Sequence, residues 1–498
     1  MKENEFFPIT ENSQTPSQAA DVPSENTAAQ DNERAAAFFF QEIAFPTILY
    51  AIFYTFCLYR NLSGITMPLF CAATAAYCFY CMNRLGVRRK KDTLFYIFMM
   101  LLLGISDVFT GSPVLIFCNN IGIFFLLVCM LLHNYCSDEH WTPFNYLVSV
   151  FFAASGALLS MLDPFLDAIC YYRKKKDSAR SRLTYILIGL VAAFPLLFII
   201  TGLLFSADAV FADMIRLIGA HLFHGKILFE IFAVFLFACL SSYCGLRYLG
   251  KHQLCQSHTQ KVLWEPAIAV TILSLLSIVY IIFCFIQIIC LFGGNAKLPD
   301  GTTYAAYARE GFFQLLFVSV INVGIVLSAQ TFFRRSPAIN FFLIILSLCT
   351  YIILASGAFR MMLYIRSYHL TLLRLLVLWA MAVIAVLLAG IIFRIIRPSF
   401  RLFRYGLYAV CIMYLILSFS HPDYIIASYN LAQPQKNCTA PDYDYLKKLS
   451  SDAAPVIAQQ KGVWVKEYLT SVSKDYEPSL RCFNVSRYTA EKFRQKLG

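Results

Sequence analysis

Long apolar runs alternate with short polar or basic loops between residues 43 and 419. Most runs approach the length of about twenty residues at which a helix crosses a bilayer with its backbone polar groups paired internally. The pattern predicts an all-α fold, a polytopic transmembrane helical bundle with about 11 spans, or roughly 10 to 12. The predicted spans are residues 43–59, 64–82, 93–105, 113–133, 183–205, 227–247, 263–292, 311–332, 337–357, 375–393 and 402–419.

Polar segments flank the bundle on both sides. Residues 1–40 are acidic and rich in Ser, Gln, Ala and Pro, which predicts a disordered tail. Residues 41–420 are the predicted transmembrane bundle, and residues 421–498 are a polar C-terminal region that we expect to pack on its outer face. That region divides into a first piece at residues 421–431, an expected helix at 443–460, a middle piece through Pro478, and a last expected helix from about 486 to 497 with Ser486 as its N-cap.

Composition also indicates a membrane protein. Charged residues make up 14% of the chain and hydrophobic residues 59%, whereas soluble domains carry about a quarter charged residues. The net charge of +12 lies mostly in short loops between spans, which is a positive-inside pattern and argues against a nucleic-acid partner. The 17 cysteines are scattered, mostly within spans, and show no disulfide or zinc-ligand spacing.

One apolar segment, residues 142–163, decides the predicted orientation. The basic clusters at residues 84–91 and 173–182 share a side of the membrane only if this segment lies in the interface or re-enters. We favour that interpretation, which places the N-terminus in the cytoplasm and the C-terminal region outside it. The alternative is that the segment spans and separates the two clusters.

Ionisable side chains near the outer ends of the spans are the candidate binding residues, because charges at membrane depth are costly and usually functional. These candidates are Asp208, Asp213, Arg309, Glu310, Arg360, Tyr364 and Arg366. One interpretation is a polar cavity, open to the outside, in which arginines bind an anionic or zwitterionic solute. The alternative is a set of internal ion pairs that fix helix packing, such as Arg309 or Arg360 with Asp208 or Glu230.

Signals for catalysis or for a metal are weak. His221 and His224 have HxxH spacing, but a zinc site needs three or four ligands, so they are weak metal candidates. The chain has no HExxH, GxSxG, Walker A or dinucleotide-binding motif, and we assign no catalytic residue, no metal and no cofactor. Asp107, just before the Gly-Ser-Pro at residues 111–113, is expected in an ordinary outer loop, with a broken transporter hairpin as the alternative.

Five ordered patches resemble a known family. They are residues 206–211 (SADAVF), 307–314 (YAREGFFQ), 360–374 with LY and LTLLR, 422–431 with PD and YNL, and 484–488 (NVSRY). Together they resemble the bacterial multi-pass membrane family called domain of unknown function 4173, which is related to group 4153. The resemblance covers roughly residues 183–488 and implies a location in the bacterial cell membrane. It implies no reaction, ligand or catalytic residue.

Three functions stay open from the sequence. The slightly favoured one is a small-solute binding or transport-like module with an outward-facing polar cavity. The alternatives are a structural or signalling partner of another membrane protein, and an intramembrane enzyme acting on a lipid-linked substrate through Asp208, Asp213 and the histidines. The expected partners are therefore the lipid bilayer, a small polar or anionic solute, or a membrane protein.

Overall fold

The computed structural model of the chain describes most of the predicted bundle and of the C-terminal region. The described residues are 25–136, 141, 143–174, 225–251, 264–289, 304–432, 442–474, 476 and 479–497, with isolated positions between 189 and 214. Within these ranges the chain forms helices and their connections, plus one isolated bridge between Trp264 and Phe333. The all-α fold class is confirmed for this part of the chain.

Twelve longer helices, numbered here over the described residues, precede the C-terminal region. They are α1 Glu25–Leu58, α2 Thr66–Arg84, α3 Thr93–Phe109, α4 Pro113–Tyr135, α5 Pro143–Leu159, α6 Asp163–Lys174, α7 Gly225–Lys251, α8 Pro266–Gln287, α9 Tyr304–Phe332, α10 Pro337–Tyr368, α11 Leu372–Ile396 and α12 Leu402–Phe419. Proline occupies the first turn of α4, α8 and α10, where its missing N–H costs no hydrogen bond.

Several of these helices are long and apolar enough to cross a membrane. Among the described residues there are eight such helices, or up to nine if one bent pair counts as a single span. The polytopic architecture is therefore supported, whereas the predicted number of spans is not confirmed. The difference arises because α3 is a shorter apolar helix, α2 is outside the set, and the predicted span at 183–205 lies largely outside the described residues.

The segment at residues 142–163 contains α5 and the start of α6. The helices Val148–Leu159 and Asp163–Arg173 are long and apolar enough to cross a membrane only when they are taken together, and a bend separates them. Such a pair is either a broken span or a re-entrant segment. The interfacial interpretation of this segment stays a prediction.

Helix α1 begins earlier than the sequence pattern predicts. Residues 25–40 are helical, where we predicted part of a disordered tail, and the helix continues without a break to Leu58. The segment contains Ala, Gln, Glu and Arg, which have high helix propensity and can extend a helix that is already nucleated by its apolar part. Residues 1–24 lie outside the described part of the chain.

The chain divides into two compact units. The first consists of residues 1–44 and 162–213. In its described part, the N-terminal portion of α1 packs on α6: Phe40 contacts Tyr171 and Tyr172, with ring centroids 5.6 and 6.3 Å apart. Arg173 pairs with Glu33 at 3.4 Å on the surface of this unit.

The second unit, residues 45–161 and 214–498, contains the rest of the bundle and the C-terminal region. Helices α2, α3 and α4 pack in sequence order, and α12 packs on α3. A second group is formed by α8, α9 and α10, with α10 also packed on α11. The contact between α11 and α12 joins the two groups.

One end of this unit gathers the basic loops, and we call it the basic end. Arg404 at the start of α12 pairs with Asp92, which precedes α3, at 2.7 Å. Lys90 donates from Nζ to the carbonyl oxygen of Cys136, which follows α4, at 2.6 Å. The bridge between Trp264 and Phe333 joins the start of α8 to the connection between α9 and α10. The predicted clustering of several basic loops on one side agrees with these contacts.

The C-terminal region is built from short helices. They are α13 Pro422–Ala432, α14 Tyr443–Leu446, a 3₁₀ turn Ser451–Ala453, α15 Ala454–Ile457, α16 Val463–Ser473 and α17 Val485–Leu497. The predicted single helix at 443–460 is wrong, because Pro455 cannot donate within a helix interior and instead occupies the first turn of α15. The predicted N-cap is wrong as well: the Asn484 side chain accepts from the Arg487 N–H at 3.0 Å.

Candidate functional site

The C-terminal region is anchored at the end of the bundle opposite the basic end, which we call the tail-facing end. Asn484 donates from Nδ2 to the carbonyl oxygens of Asp107 and Thr110, at 3.0 and 2.8 Å, where α3 ends. Arg481 donates to the carbonyl oxygen of Tyr59, which follows α1, at 2.8 Å. These bonds satisfy terminal carbonyl groups that have no partner within their own helices.

The same region also contacts the junction between α10 and α11. Asn430 exchanges two hydrogen bonds with the backbone of Leu370, at 2.8 and 2.9 Å. The hydroxyl of Tyr445 accepts from the Leu372 N–H at 2.9 Å, in the first turn of α11. The C-terminal region therefore holds the ends of helices from both groups of the bundle.

Asp452 is the most heavily bonded carboxylate at this interface, and its side chain is 0% exposed. Thr110 donates from its hydroxyl and Gly111 from its backbone N–H, each at 2.6 Å. His421 Nδ1 lies 3.4 Å from Asp452 Oδ2. His421 has a φ of 48°, which is strained for a residue other than glycine and fixes the chain direction between α12 and α13.

These contacts determine the protonation of the pair. Burial acts to raise the pKa of Asp452, but the hydrogen bonds from His421, Ser486, Thr110 and Gly111 outweigh it and leave that pKa below its usual value. The hydrogen bond to Asp452 raises the pKa of His421, against the opposing effect of burial. The two groups therefore favour the form in which both are charged.

A second carboxylate, Asp423, lies close to this pair. Its Oδ2 accepts from the Ser450 N–H at 3.2 Å, and burial raises its pKa, with the charge of Asp452 acting in the same direction. Tyr468 donates to the Ser450 carbonyl oxygen at 2.5 Å and so completes this polar layer. This group of one histidine and two aspartates has the residue types of an acid–base site. The contacts of His421, Asp423 and Asp452, however, hold the C-terminal region against the bundle.

A separate polar network lies inside the bundle, between α3, α4 and α12. Asn119 donates to Asp107 Oδ1 at 2.8 Å and accepts from Tyr414 and Ser418, at 2.7 and 2.9 Å. Ser106 shares a hydrogen bond with Ser418 at 2.7 Å. Asp107 is thus part of a helix and 0% exposed, so the predicted outer loop for this residue is wrong. The misassignment has a physical origin: the helix extends four residues past the apolar run.

Arg360 occupies a third polar site, in the group of α8, α9 and α10. It is 7% exposed and donates from Nη2 to Gln287 Oε1 at 3.2 Å; Ser356 donates to the same oxygen at 2.7 Å. The guanidinium lies against Gly311 of α9, where a Cβ atom would overlap it. A charged group is therefore held between three apolar helices, near the ends that face the C-terminal region.

Two further predicted site residues follow Arg360 on α10. Tyr364 is half-buried, and the guanidinium of Arg374 stacks over its ring at 4.2 Å from the centroid. The same guanidinium donates to the carbonyl oxygens of Tyr368 and His369, at the C-terminal end of α10. Arg366 is exposed on α10. Arg374 therefore supplies a contact to Tyr364 that the sequence did not single out.

The other predicted site residues are described only in part. Asp208 is exposed and belongs to the first unit. Arg309 and Glu310 lie on α9, but their side chains are outside the described part. Asp213, His221 and His224 are also outside it. The hypothesis of an enzyme built on these carboxylates and histidines therefore stays a prediction.

Glu230, which the sequence suggested as the partner of an arginine within the bundle, pairs with a different arginine. Glu230 of α7 pairs with Arg60, which follows α1, at 2.6 Å, and also accepts from the Tyr59 hydroxyl at 3.2 Å. The sequence-based alternative pairs Arg309 or Arg360 with Asp208 or Glu230. Because Arg60 lies in a short loop, sequence spacing gave no indication that it would reach α7.

No metal centre is visible in the part of the chain that the structure describes. Its residues contain no group of three or more His, Cys, Asp or Glu side chains that could hold an ion. Asn119, Asp452 and Asn484 are the functional or structural polar residues that sequence reasoning missed. Only Asn119 carried a signal, as a polar residue in an otherwise apolar run.

Comparison with known proteins gives one match. A family model described as Domain of unknown function (DUF4153) matches residues 97–460, which is more than half of the chain. The chain belongs to the DUF4153 family. The resemblance to the related group 4173 is not confirmed, although the matched family is the relative named with it. No curated protein and no solved structure matches this DUF4153 protein.

The residues that match the DUF4153 family model include most of the sites described above. Asp107, Asn119, Arg360 and Asp452 all lie within the matched residues, whereas Asn484 and the rest of α17 lie beyond them. The family description assigns no reaction or ligand, so function has to be argued from the sites themselves.

Proposed function

We propose that this chain is a membrane module that binds or transports a small polar solute through the site around Arg360. The observation that carries the proposal is the burial of a guanidinium between three apolar helices, beside Gln287 and Ser356. Ionisable groups at membrane depth are expensive and usually mark solute or ion paths. A guanidinium can bind a carboxylate or phosphate through two parallel N–H groups.

The site also has the features of a recognition surface for a small anion. Gln287 and Ser356 add an amide and a hydroxyl beside the charge, and both side chains are buried. The Gly311 backbone approaches the guanidinium closely, which limits the size of a ligand at that side. Tyr364 and Arg374 lie one turn or more further toward the tail-facing end and would form its entrance. The solute class is therefore a small anionic or zwitterionic molecule.

The location follows from the same proposal. We infer a multi-pass protein of the bacterial cell membrane, with the basic end in the cytoplasm and the C-terminal region outside. The contacts that gather basic loops at one end support this orientation, because such loops are retained on the cytoplasmic side. The solute site would then open toward the outside.

A solute and lipid binding screen on the purified protein tests the function. We expect an anionic or zwitterionic solute to raise the midpoint of thermal unfolding. Arg360→Lys should lower the apparent affinity for that solute by at least about tenfold, and so reduce the shift in midpoint, because Lys cannot make a bidentate contact. Arg335→Lys, at an exposed position on the basic end, serves as the matched control. A solute that stabilises both variants equally would exclude Arg360 as its binding group.

A role as a structural or signalling partner has one observation in its favour. The C-terminal region exposes Tyr443 and Val463, at 42% and 76%, beside Trp464, whose ring lies 5.0 Å from that of Tyr443. Large apolar groups exposed outside the bundle suit contact with another protein. Loss of a co-purifying membrane protein on Val463→Lys would support this second function, and an unchanged set of partners would count against it.

A further inference from the structure

The carboxyl group of Asp107 is buried in the bundle with very little to stabilise a negative charge. The residue is 0% exposed, and its Oδ1 accepts one hydrogen bond, from Asn119. Its Oδ2 is buried and has no hydrogen-bond partner among the residues that the structure describes. A buried carboxylate normally needs several donors or a cation to offset the loss of water, and otherwise it binds a proton.

Asp452 provides an internal comparison. Both carboxyl groups are buried. Asp452 accepts hydrogen bonds from Thr110 and Gly111, which follow Asp107 closely in the chain. Asp452 receives hydrogen bonds from Thr110, Gly111, Ser486 and His421, so its charged form is stabilised. Asp107 receives only the bond from Asn119 among the residues described. The two buried carboxyl groups therefore differ in the number of hydrogen bonds that stabilise their charged form.

The neighbours of Asp107 cannot easily provide more donors. Asn119 is held in one orientation because its Oδ1 accepts from Tyr414 and Ser418, which keeps its amide N–H directed at Asp107. Ser106 is bonded to Ser418. The network therefore links α3, α4 and α12 around a carboxyl group whose second oxygen is left open.

The same arrangement selects against a metal ion. An alkali or divalent cation would need several oxygen ligands, with carboxylates for a divalent ion. Here the Asn119 oxygen is already engaged by two hydroxyl groups, and its N–H faces Asp107. One open carboxylate oxygen suffices for a proton and not for a metal ion.

We propose that Asp107 is a proton-binding site within the bundle. The proton adds to Oδ2 and leaves the Asn119 hydrogen bond to Oδ1 in place, so binding needs no rearrangement of the network. The titratable groups that face Asp107 are Cys71 of α2 and Tyr414 of α12, both of which interact with it electrostatically. From the C-terminal region, Asp452 contacts Thr110 at the end of α3, one turn from Asp107, and His421 contacts Asp452.

The proton site is distinct from the proposed solute site. Asp107 lies between α3, α4 and α12, whereas Arg360 lies between α8, α9 and α10. Asn484 donates to the carbonyl oxygen of Asp107, so the C-terminal region covers the end of α3 directly above the site. Proton binding at Asp107 does not depend on solute binding at Arg360.

Infrared spectroscopy of the purified protein in membranes tests the proposal. A protonated carboxylic acid has a C=O stretching band that is separate from carboxylate bands and shifts in D₂O. We expect such a band in the wild-type protein near neutral pH and its loss in Asp107→Asn, which keeps the size of the side chain. Asp423→Asn is the matched control, because Asp423 is a buried carboxyl group of the C-terminal region that takes no part in the network around Asp107; it should leave the Asp107 band in place.

A second variant covers the case in which Asp107→Asn fails to fold. Asp107→Glu retains a carboxyl group, so the band should move rather than disappear. Arg360→Lys should leave the band unchanged, which separates a failure of the solute proposal from a failure of this one. A spectrum without the band in the wild type, or a band that neither Asp107 variant alters, would overturn the assignment.

Discussion

His421 and Asp452 stabilise each other's charge where the C-terminal region meets the bundle. The pKa of His421 is raised, so its contribution to folding is complete below its unfolded value of about 6.5 and is lost as pH rises through the raised value. The pKa of Asp452 is lowered, so its contribution is present above about 3.9 and is lost as pH falls through the lowered value. The raised pKa of Asp423 also favours the folded state at lower pH.

These shifts predict that the C-terminal region is held most firmly at mildly acidic pH and loosens above about pH 6.5. Limited proteolysis of the C-terminal region, measured from pH 5 to pH 9 (roughly the range over which His titrates), should show faster cleavage at the alkaline end. His421→Gln keeps a side-chain N–H for Asp452 but cannot titrate. The alkaline increase should disappear in that variant, and an increase of equal size there would rule out His421 as its source.

Gly111 is a residue at which a single methyl group should matter. A Cβ atom there would overlap the hydroxyl of Ser451, in the 3₁₀ turn that carries Asp452. We expect Gly111→Ala to lower the free energy of unfolding by about 1–3 kcal/mol, the usual cost of overpacking. Gly324→Ala on α9 is the control, because a Cβ atom there meets nothing within 4 Å. Chemical denaturation in detergent would compare the two, and equal stability would contradict the tight contact.

At the scale of helices, apolar periodicity predicted the long elements well and the C-terminal region less well. The predicted spans at 113–133 and 402–419 agree with α4 and α12 to within a few residues. The helix predicted at 443–460 is divided into short pieces, because a proline and several side-chain caps act locally. The start of α1 was misplaced, since a polar segment with good helix formers is continuous with an apolar helix.

Helix α17 shows how one side chain links an element to the bundle. Asn484 caps the helix through its Oδ1 and holds the end of α3 through its Nδ2. We expect Asn484→Ala to cost about 1–2 kcal/mol for the cap alone and more with the lost contacts to α3. Gln495→Ala, at an exposed position on the same helix, is the control. Hydrogen exchange of α17 would measure the effect, and equal protection in both variants would contradict it.

At the scale of the whole molecule, the sequence predicted a polytopic bundle and a C-terminal region packed on it, and the contacts with Thr110 and Leu370 agree with that packing. Of the candidate site, only Arg360 and its neighbours on α10 could be found from the sequence, because a charge in an apolar run stands out. Asp452 could not, since an aspartate in a polar region usually lies on the surface. Its burial depends on a loop more than three hundred residues away.

The orientation of the molecule gives the last prediction. Alkaline phosphatase folds into an active enzyme only outside the cytoplasm, so a fusion to the C-terminal end of the chain should be active. A fusion after Arg335, in the loop between α9 and α10, should be inactive, because that loop belongs to the basic end. The two fusions report on opposite ends of the same unit, so their activities should differ whichever way the protein inserts. An active fusion at Arg335 together with an inactive one at the C-terminus would show that the protein has the opposite orientation. The site at Arg360 would then open toward the cytoplasm.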